Sequence, residues 1–227
     1  MAKTISCLYK NTSQLNRFID LNELDEYPNL LVQVFTGNPE SLNIAKLQKE
    51  LADKLPFAQI AGCSTSGEIH EGRITEKQTV ICFTVFEKTG LKSFLFNRTD
   101  FKNSYEMGKT LARELAIFNT EAVIIFPAGF DVDSTALLEG INETHPDIVI
   151  SGGLAGDNGL FQEGLAFTQD GLTSDGLAAV ALQSGHLSVR PFANYQWQEI
   201  GKSFTVTKAE GSIIYSLDHK KPLNILE

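Results

Sequence analysis

Short apolar runs alternate along the chain with stretches in which apolar residues recur every three or four positions. The runs have the length and composition of buried strands, and the periodic stretches have the pattern of helices with one apolar face. One such helix carries Ile44, Leu47, Leu51 and Leu55 after the start signal Asn38-Pro39. Strands are predicted at 4–9, 30–35, 57–61, 79–86, 91–96, 122–126, 148–150, 164–168, 177–182, 187–192, 200–209 and 213–217. The alternation predicts an α/β fold with mixed β-sheets flanked by helices.

Turn signals between neighbouring runs predict two hairpins. One joins 79–86 to 91–96, and the other joins 177–182 to 187–192 across Gln183-Ser184-Gly185. The polar stretch from Gly67 to Lys77 shows neither the helical nor the strand pattern of apolar residues. We expect it to be an irregular excursion of the chain.

Two glycine-bearing loops each follow an apolar run. The first is Gly62-Cys63-Ser64-Thr65-Ser66-Gly67-Glu68, and the second is Ser151-Gly152-Gly153-Leu154-Ala155-Gly156-Asp157. Glycine lets a ligand approach the backbone closely, and loops at strand ends commonly carry small-molecule sites. These loops are therefore the candidate binding elements.

The surroundings of the two loops also resemble each other. Gly37 and Gly129 are 92 positions apart, and Gly62 and Gly152 are 90 positions apart. This spacing predicts two related halves that arose by an internal duplication of about 90 residues. We expect the two glycine loops to lie near each other at one pocket.

Composition and charge narrow the function classes. The chain has 227 residues, of which 42% are hydrophobic, and a net charge of −9. Its basic residues are scattered singly, which disfavours nucleic acid as a partner. No apolar run approaches the roughly 18 residues of a membrane span. Three widely spaced cysteines fit a reducing cytoplasm rather than disulfides or zinc, and Trp197 is expected to anchor a core or an interface.

Catalytic and cofactor motifs are weak. A nucleophilic Cys63 or Ser64 would need a histidine base, and none of the four histidines stands in a recognisable triad context. The first loop has Glu68-Ile69 where a phosphate-binding loop needs Lys and Ser or Thr. His70, just beyond that loop, is a weak candidate for axial ligation of haem. We therefore expect that the chain is not an enzyme. A thiol or serine hydrolase that uses Cys63 or Ser64 stays open as an alternative.

Four segments carry a resemblance to a known family. Residues 60–69 resemble the hallmark segment of the FIST domain, and residues 149–157 resemble its second hallmark. Residues 176–182 resemble the strand that follows, and residues 205–218 resemble the entry to the C-terminal FIST segment. The resemblance implies an N-terminal FIST domain over 1–200, with halves of about 1–100 and 101–195. It also implies that 201–227 begin a C-terminal FIST segment that is truncated here.

The resemblance implies a cytoplasmic sensory domain that binds a small ligand, with amino acids as the favoured class. We expect main-chain N–H groups and the hydroxyls of Ser64, Thr65 and Ser66 to hold a carboxylate, and Glu68 or Asp157 to take an amine. The expected ligand-binding residues are Cys63, Ser64, Thr65, Ser66, Gly67, Glu68, Gly152, Gly153 and Asp157. The alternative is a haem-based nitric-oxide sensor. The expected partner is a histidine kinase, a cyclic-dinucleotide enzyme or another signalling protein.

Overall fold

The computed structural model describes residues 2–38, 41–192, 198–210 and 213–226. The predicted start signal at Pro39 and the predicted anchor Trp197 lie outside these ranges. The chain divides into two units, Met1–Pro191 and Phe192–Glu227. The predicted α/β class with mixed sheets is confirmed, whereas the domain boundary placed at residue 200 stays a prediction.

The larger unit contains four long helices and most of the strands. The helices are α1 Thr12–Leu21, α2 Ser41–Lys54, α3 Ser104–Ile117 and α4 Ser134–Thr144. The strands are β1 Ala2–Leu8, β2 Leu30–Thr36, β3 Gln59–Ser64, β4 Glu68–His70, β5 Arg73–Thr75, β6 Thr79–Phe86, β7 Leu91–Asn97, β8 Thr120–Ala128, β9 Val149–Gly152, β10 Ala166–Thr168, β11 Gly171–Thr173 and β12 Gly176–Gln183.

Two mixed sheets form the centre of this unit. The first has the order β1-β6-β2-β3-β10-β11, and the second has the order β7-β12-β8-β9. Each contains one parallel pair, β2 with β3 and β8 with β9, and the remaining pairs are antiparallel. The connections that join these parallel strands run through α2 and α4, as parallel pairing requires.

The buried residues fall into three clusters that define four layers. One cluster packs α1 and α2 against the first sheet, and a second packs α3 and α4 against the other sheet. The third cluster lies between the two sheets and includes Leu31 and Cys63 from one sheet and Phe126 and Val180 from the other. Both faces of each sheet are therefore covered, which explains the nearly continuous apolar runs of β3 and β12.

The two halves of the larger unit repeat the same order of elements. β1-α1-β2-α2-β3-β4-β5-β6 is followed by β7-α3-β8-α4-β9-β10-β11-β12. The corresponding strands take the same sheet order, β1-β6-β2-β3 and β7-β12-β8-β9. The duplication itself stays a prediction, but it would account for this shared topology.

Both predicted hairpins are wrong, although three of their four strands exist. β6 and β7 belong to different sheets, and the linker 87–90 carries the chain from one sheet to the other. β12 pairs with β7 and β8, while residues 187–192 form no strand. A four-residue link suits either a hairpin or a crossing between packed sheets, so local sequence does not discriminate between them.

Residues 67–77 also differ from the prediction. Instead of an irregular excursion, β4 and β5 form a short hairpin with Ile69 opposite Ile74. Both isoleucines are exposed, so the segment lacks the buried face that would have produced an alternating pattern.

The smaller unit contains the antiparallel pair β13 Val206–Glu210 and β14 Ile213–Leu217, followed by α5 Leu223–Leu226. Among the described residues of the whole chain, no helix combines the length and the apolar character needed to cross a membrane.

Candidate functional site

The two glycine loops meet, and Ser64 at the end of β3 joins them. Its hydroxyl donates to the Gly156 carbonyl oxygen at 2.5 Å and accepts from the Leu165 N–H at 2.8 Å. The Gly156 N–H in turn donates to the Ser64 carbonyl oxygen at 2.8 Å. Ser64 is only 1% exposed. Its buried hydrogen bonds fix the positions of the two loops and of Leu165, the residue before β10, relative to one another.

Thr65 and Glu68 hold the first loop from the other side. The Thr65 N–H donates to the Thr36 carbonyl oxygen at 2.9 Å, and its hydroxyl donates to Glu68 Oε1 at 2.5 Å. Glu68 Oε2 accepts from the Gln78 N–H at 3.1 Å. Glu68 is 2% exposed. Through these two hydrogen bonds, its buried carboxylate links the loop to the start of β6.

A cleft of about 530 Å³ opens where the loops meet, on the side where the two sheets face each other. Among the described residues, its lining is apolar or neutral, and the Cys63 thiol is the one ionisable group in it. The lining residues are Gln33, Phe35, Cys63, Ser64, Thr65, Ser66, Ile124, Phe126, Ser151, Gly152, Gly153, Leu154 and Gly156. This volume and this mixture are typical of a small-molecule site.

The two parallel strand pairs contribute matching positions to the cleft. Val34 on β2 pairs with Gly62, and Ile125 on β8 pairs with Gly152. The residue after Val34 is Phe35, and the residue after Ile125 is Phe126. The rings of Phe35 and Phe126 meet edge to face with centroids 5.7 Å apart. They place an aromatic wall at the carboxyl ends of the strands, where open α/β sheets commonly bind ligands.

Sequence reasoning missed the strand residues of the cleft, namely Gln33, Phe35, Ile124 and Phe126. A signal existed for Gln33, because it is the one polar residue between Leu30 and Phe35 in an otherwise apolar run. Alternation along β2 puts Gln33 and Phe35 on the same face. Which face looks toward the other sheet depends on tertiary packing.

The structure divides the predicted site residues into two groups. Cys63, Ser64, Thr65, Ser66, Gly152 and Gly153 line the cleft, whereas Gly67, Glu68 and Asp157 do not. Of the lining side chains, Ser64 and Thr65 already use their hydroxyls within the protein. Within the described residues, the side chains of Ser66, Gln33 and Ser151 make no hydrogen bond and are free to meet a ligand.

Asp157 stabilises its own loop. Its Oδ2 accepts from the Gln162 N–H at 2.5 Å and from the Glu163 N–H at 3.2 Å. These backbone donors, led by Gln162, hold the pKa of the carboxyl below its usual value. The expectation that Asp157 or Glu68 takes a ligand amine is therefore not supported, because both carboxylates are engaged elsewhere.

Cys63 lies in the cleft as a neutral thiol. Burial raises its pKa from 9.0 to about 12, because the apolar surroundings penalise the thiolate. No histidine lines the cleft within the described residues. Among the described lining residues, the thiol is therefore neutral and has no imidazole beside it.

His70, the weak candidate for haem, lies on β4 outside the cleft lining. Its Nδ1 is 3.2 Å from Ser6 Oγ on β1. In the described part of the chain, no group of three or more His, Cys, Asp or Glu side chains is arranged to hold a metal ion.

The comparison with known families agrees with the resemblance in the sequence. The family model of the FIST N domain matches residues 30–220, well over half of the chain. The match includes both glycine loops and every strand that lines the cleft. No match was found among curated proteins. The chain belongs to the FIST family of sensory and signal-transduction domains.

Proposed function

We propose that this chain is a sensory domain that binds a small metabolite, an amino acid or a similar compound, in the cleft between its two glycine loops. The observation that supports the proposal most strongly is the junction of both loops at one neutral cleft of about 530 Å³. The family assignment supports the sensory role. That the chain is not an enzyme stays a prediction.

The lining favours a ligand with an apolar body and a small polar end. Phe35, Phe126 and Leu154 offer apolar contact, and Ser66 and Gln33 offer hydrogen-bond donors and acceptors. Without a charged partner, a carboxylate would be held by Ser66, Gln33 and main-chain groups, and an amine by neutral oxygens. An amino acid with an apolar side chain meets these requirements better than an acidic or basic one.

The alternatives have less support. A haem bound in the cleft could not use His70 as its axial ligand, because His70 lies outside the cleft lining. A hydrolase would need a reactive Cys63 or Ser64, but the first is a neutral buried thiol and the second is hydrogen-bonded to two backbone groups. A histidine kinase or another signalling protein remains our predicted partner on the basis of family resemblance.

Thermal unfolding with a panel of amino acids, together with haem, tests the proposal. A ligand that binds only the folded chain stabilises it by about 2.7 kcal/mol at one hundred times Kd. We expect a saturable rise in Tm with at least one apolar amino acid. A rise with haem alone would favour the alternative sensor, and no rise with any amino acid would count against the proposal.

Two valine substitutions make the test specific to the cleft. A Cβ on Gly153 would meet no atom within 4 Å, so Gly153→Val starts its side chain in open space at a residue that lines the cleft. A Cβ on Gly67 would meet only the Thr75 carbonyl oxygen at 3.6 Å, and Gly67 lies outside the cleft lining. Gly153→Val should abolish the ligand response, while Gly67→Val should retain it. Equal responses in both variants would place the ligand elsewhere.

A further inference from the structure

A separate cavity of about 360 Å³ lies at the carboxyl ends of β1 and β2, and we call it the lysine pocket. Its lining residues are Tyr9, Lys10, Asn11, Thr12, Thr36, Asn38, Ile44, Lys46, Leu47, Lys77, Gln78, Thr79 and Phe167. None of them lines the glycine-loop cleft. The lysine pocket is therefore a second candidate site.

Among the described residues, the charged side chains that line the lysine pocket have one sign. Its charged lining residues are Lys10, Lys46 and Lys77, in a chain whose net charge is −9. Lys46 Nζ lies 3.8 Å from Glu50 Oε1, and that carboxylate also accepts the hydroxyls of Tyr9 and Thr12. Lys10 and Lys77 form no ion pair within the described residues. A second carboxylate, that of the buried Glu68, accepts from the N–H of the lining residue Gln78. Three ammonium groups and these two carboxylates leave a local charge of about +1.

The floor and the rim of the pocket suit a small organic anion. Ile44, Leu47 and Phe167 are buried apolar residues that line it. The Asn38 side-chain amide makes no hydrogen bond within the described residues and can donate to an anion. Lys77 has φ of 57°, a left-handed conformation that non-glycine residues adopt rarely and that is enriched at ligand sites.

We propose that the lysine pocket binds the phosphate group of a small phosphorylated metabolite. A phosphate monoester carries a charge of about −1.5 to −2 at pH 7 and offers three strong acceptor oxygens, so it can accept from all three ammonium groups, whereas a carboxylate offers two oxygens. Lysine binds phosphate as a point charge from a flexible stem, so three lysines at the mouth can close on it. The carbon part of the metabolite would rest on the apolar floor.

Calorimetric titration and thermal unfolding with inorganic phosphate, glycerol 3-phosphate and succinate test the proposal. The double variant Lys10→Ala/Lys77→Ala removes the two unpaired lysines. The matched control is Lys49→Ala/Lys102→Ala, which removes two exposed lysines outside the pocket and changes the net charge equally. We expect saturable binding of glycerol 3-phosphate, weakened at least tenfold in the first double variant and unchanged in the control.

Three results would overturn the proposal. They are the absence of binding of any phosphate compound to the wild-type chain, equal weakening in the two double variants, and binding of succinate in preference to glycerol 3-phosphate. Equal weakening would indicate a general charge effect, and a preference for succinate would assign the pocket to dicarboxylates. The test is independent of the glycine-loop cleft, because Gly153→Val should leave glycerol 3-phosphate binding intact.

Discussion

Ser64→Ala removes the hydroxyl that joins the two glycine loops. The Leu165 N–H loses its acceptor in a buried position, at a cost of about 1–3 kcal/mol. The Gly156 carbonyl loses a donor but is half-buried and can reach water, so its share is about 0.5–1.5 kcal/mol. We expect the free energy of unfolding to fall by about 2–4 kcal/mol, since both losses act in the folded state.

Urea and thermal unfolding followed by circular dichroism measure this loss. For a unit of this size, about 1 kcal/mol lowers Tm by roughly 2–4 °C, so Ser64→Ala should lower it by on the order of 5–15 °C. Ser66→Ala is the matched control, because Ser66 is exposed and its change should stay within about 0.5 kcal/mol. A loss below about 0.5 kcal/mol for Ser64→Ala would refute the idea that this hydroxyl holds the loops together.

Three further predictions concern the same region. Gly62→Ala would place a Cβ 2.5 Å from the Phe167 ring and 2.6 Å from the Val34 carbonyl oxygen. Urea unfolding should therefore show a loss of stability of about 1–3 kcal/mol. An unchanged free energy of unfolding would contradict the packing described. Cys63, with its pKa raised to about 12, should react with a maleimide at pH 8 far more slowly in the folded chain than in urea. The pKa of Cys63 is higher in the folded chain than in the unfolded one, so its contribution to stability should be constant below about pH 9 and lost between pH 9 and 12. Rapid labelling of Cys63 in a folded Cys7→Ser/Cys82→Ser background would be the contrary result. Asp157 has a lowered pKa, so the stability it gives to its loop should be present above its ordinary value of 3.8 and lost as the pH falls through the lower folded value. Hydrogen exchange should then show the Gln162 amide protected at pH 5 relative to pH 2, and equal protection factors would argue against this role.

The elements of the fold were largely predictable because burial on both faces leaves a strong local pattern. β2, β3 and β8 are apolar runs bounded by turn residues, and the stripe from Ile44 to Leu55 marks α2. The helix starts also follow local rules, because the side chains of Asn11 and Asp133 accept from the N–H groups of Gln14 and Ala136, as asparagine and aspartate commonly do at this position.

The pairing of strands was not predictable from neighbours in sequence. β6 and β7 are separated by four residues but lie in different sheets, and β10 leaves its own half to pair with β3. Such choices depend on which apolar faces meet across the core, a non-local property. They also decide which residues complete the cleft, so the loops were predicted and the wall of Phe35 and Phe126 was not.

The roles of polar residues within the loops were equally hidden. Ser64, Thr65 and Ser66 are adjacent hydroxyl residues with the same local chemistry, but only Ser66 is left free by the fold. Glu68 and Asp157 looked like ligand contacts because they end the two motifs. In the structure each carboxylate is occupied by donors within its own loop region.

The most direct test of the glycine-loop site is a map of backbone amide chemical shifts during titration with apolar amino acids. The amides of Ser66, Gly153 and Leu154 are predicted to shift together and to saturate at one Kd, with smaller changes around Phe35 and Phe126. Saturable shifts confined to residues away from the cleft, or no shift with any amino acid, would contradict the account.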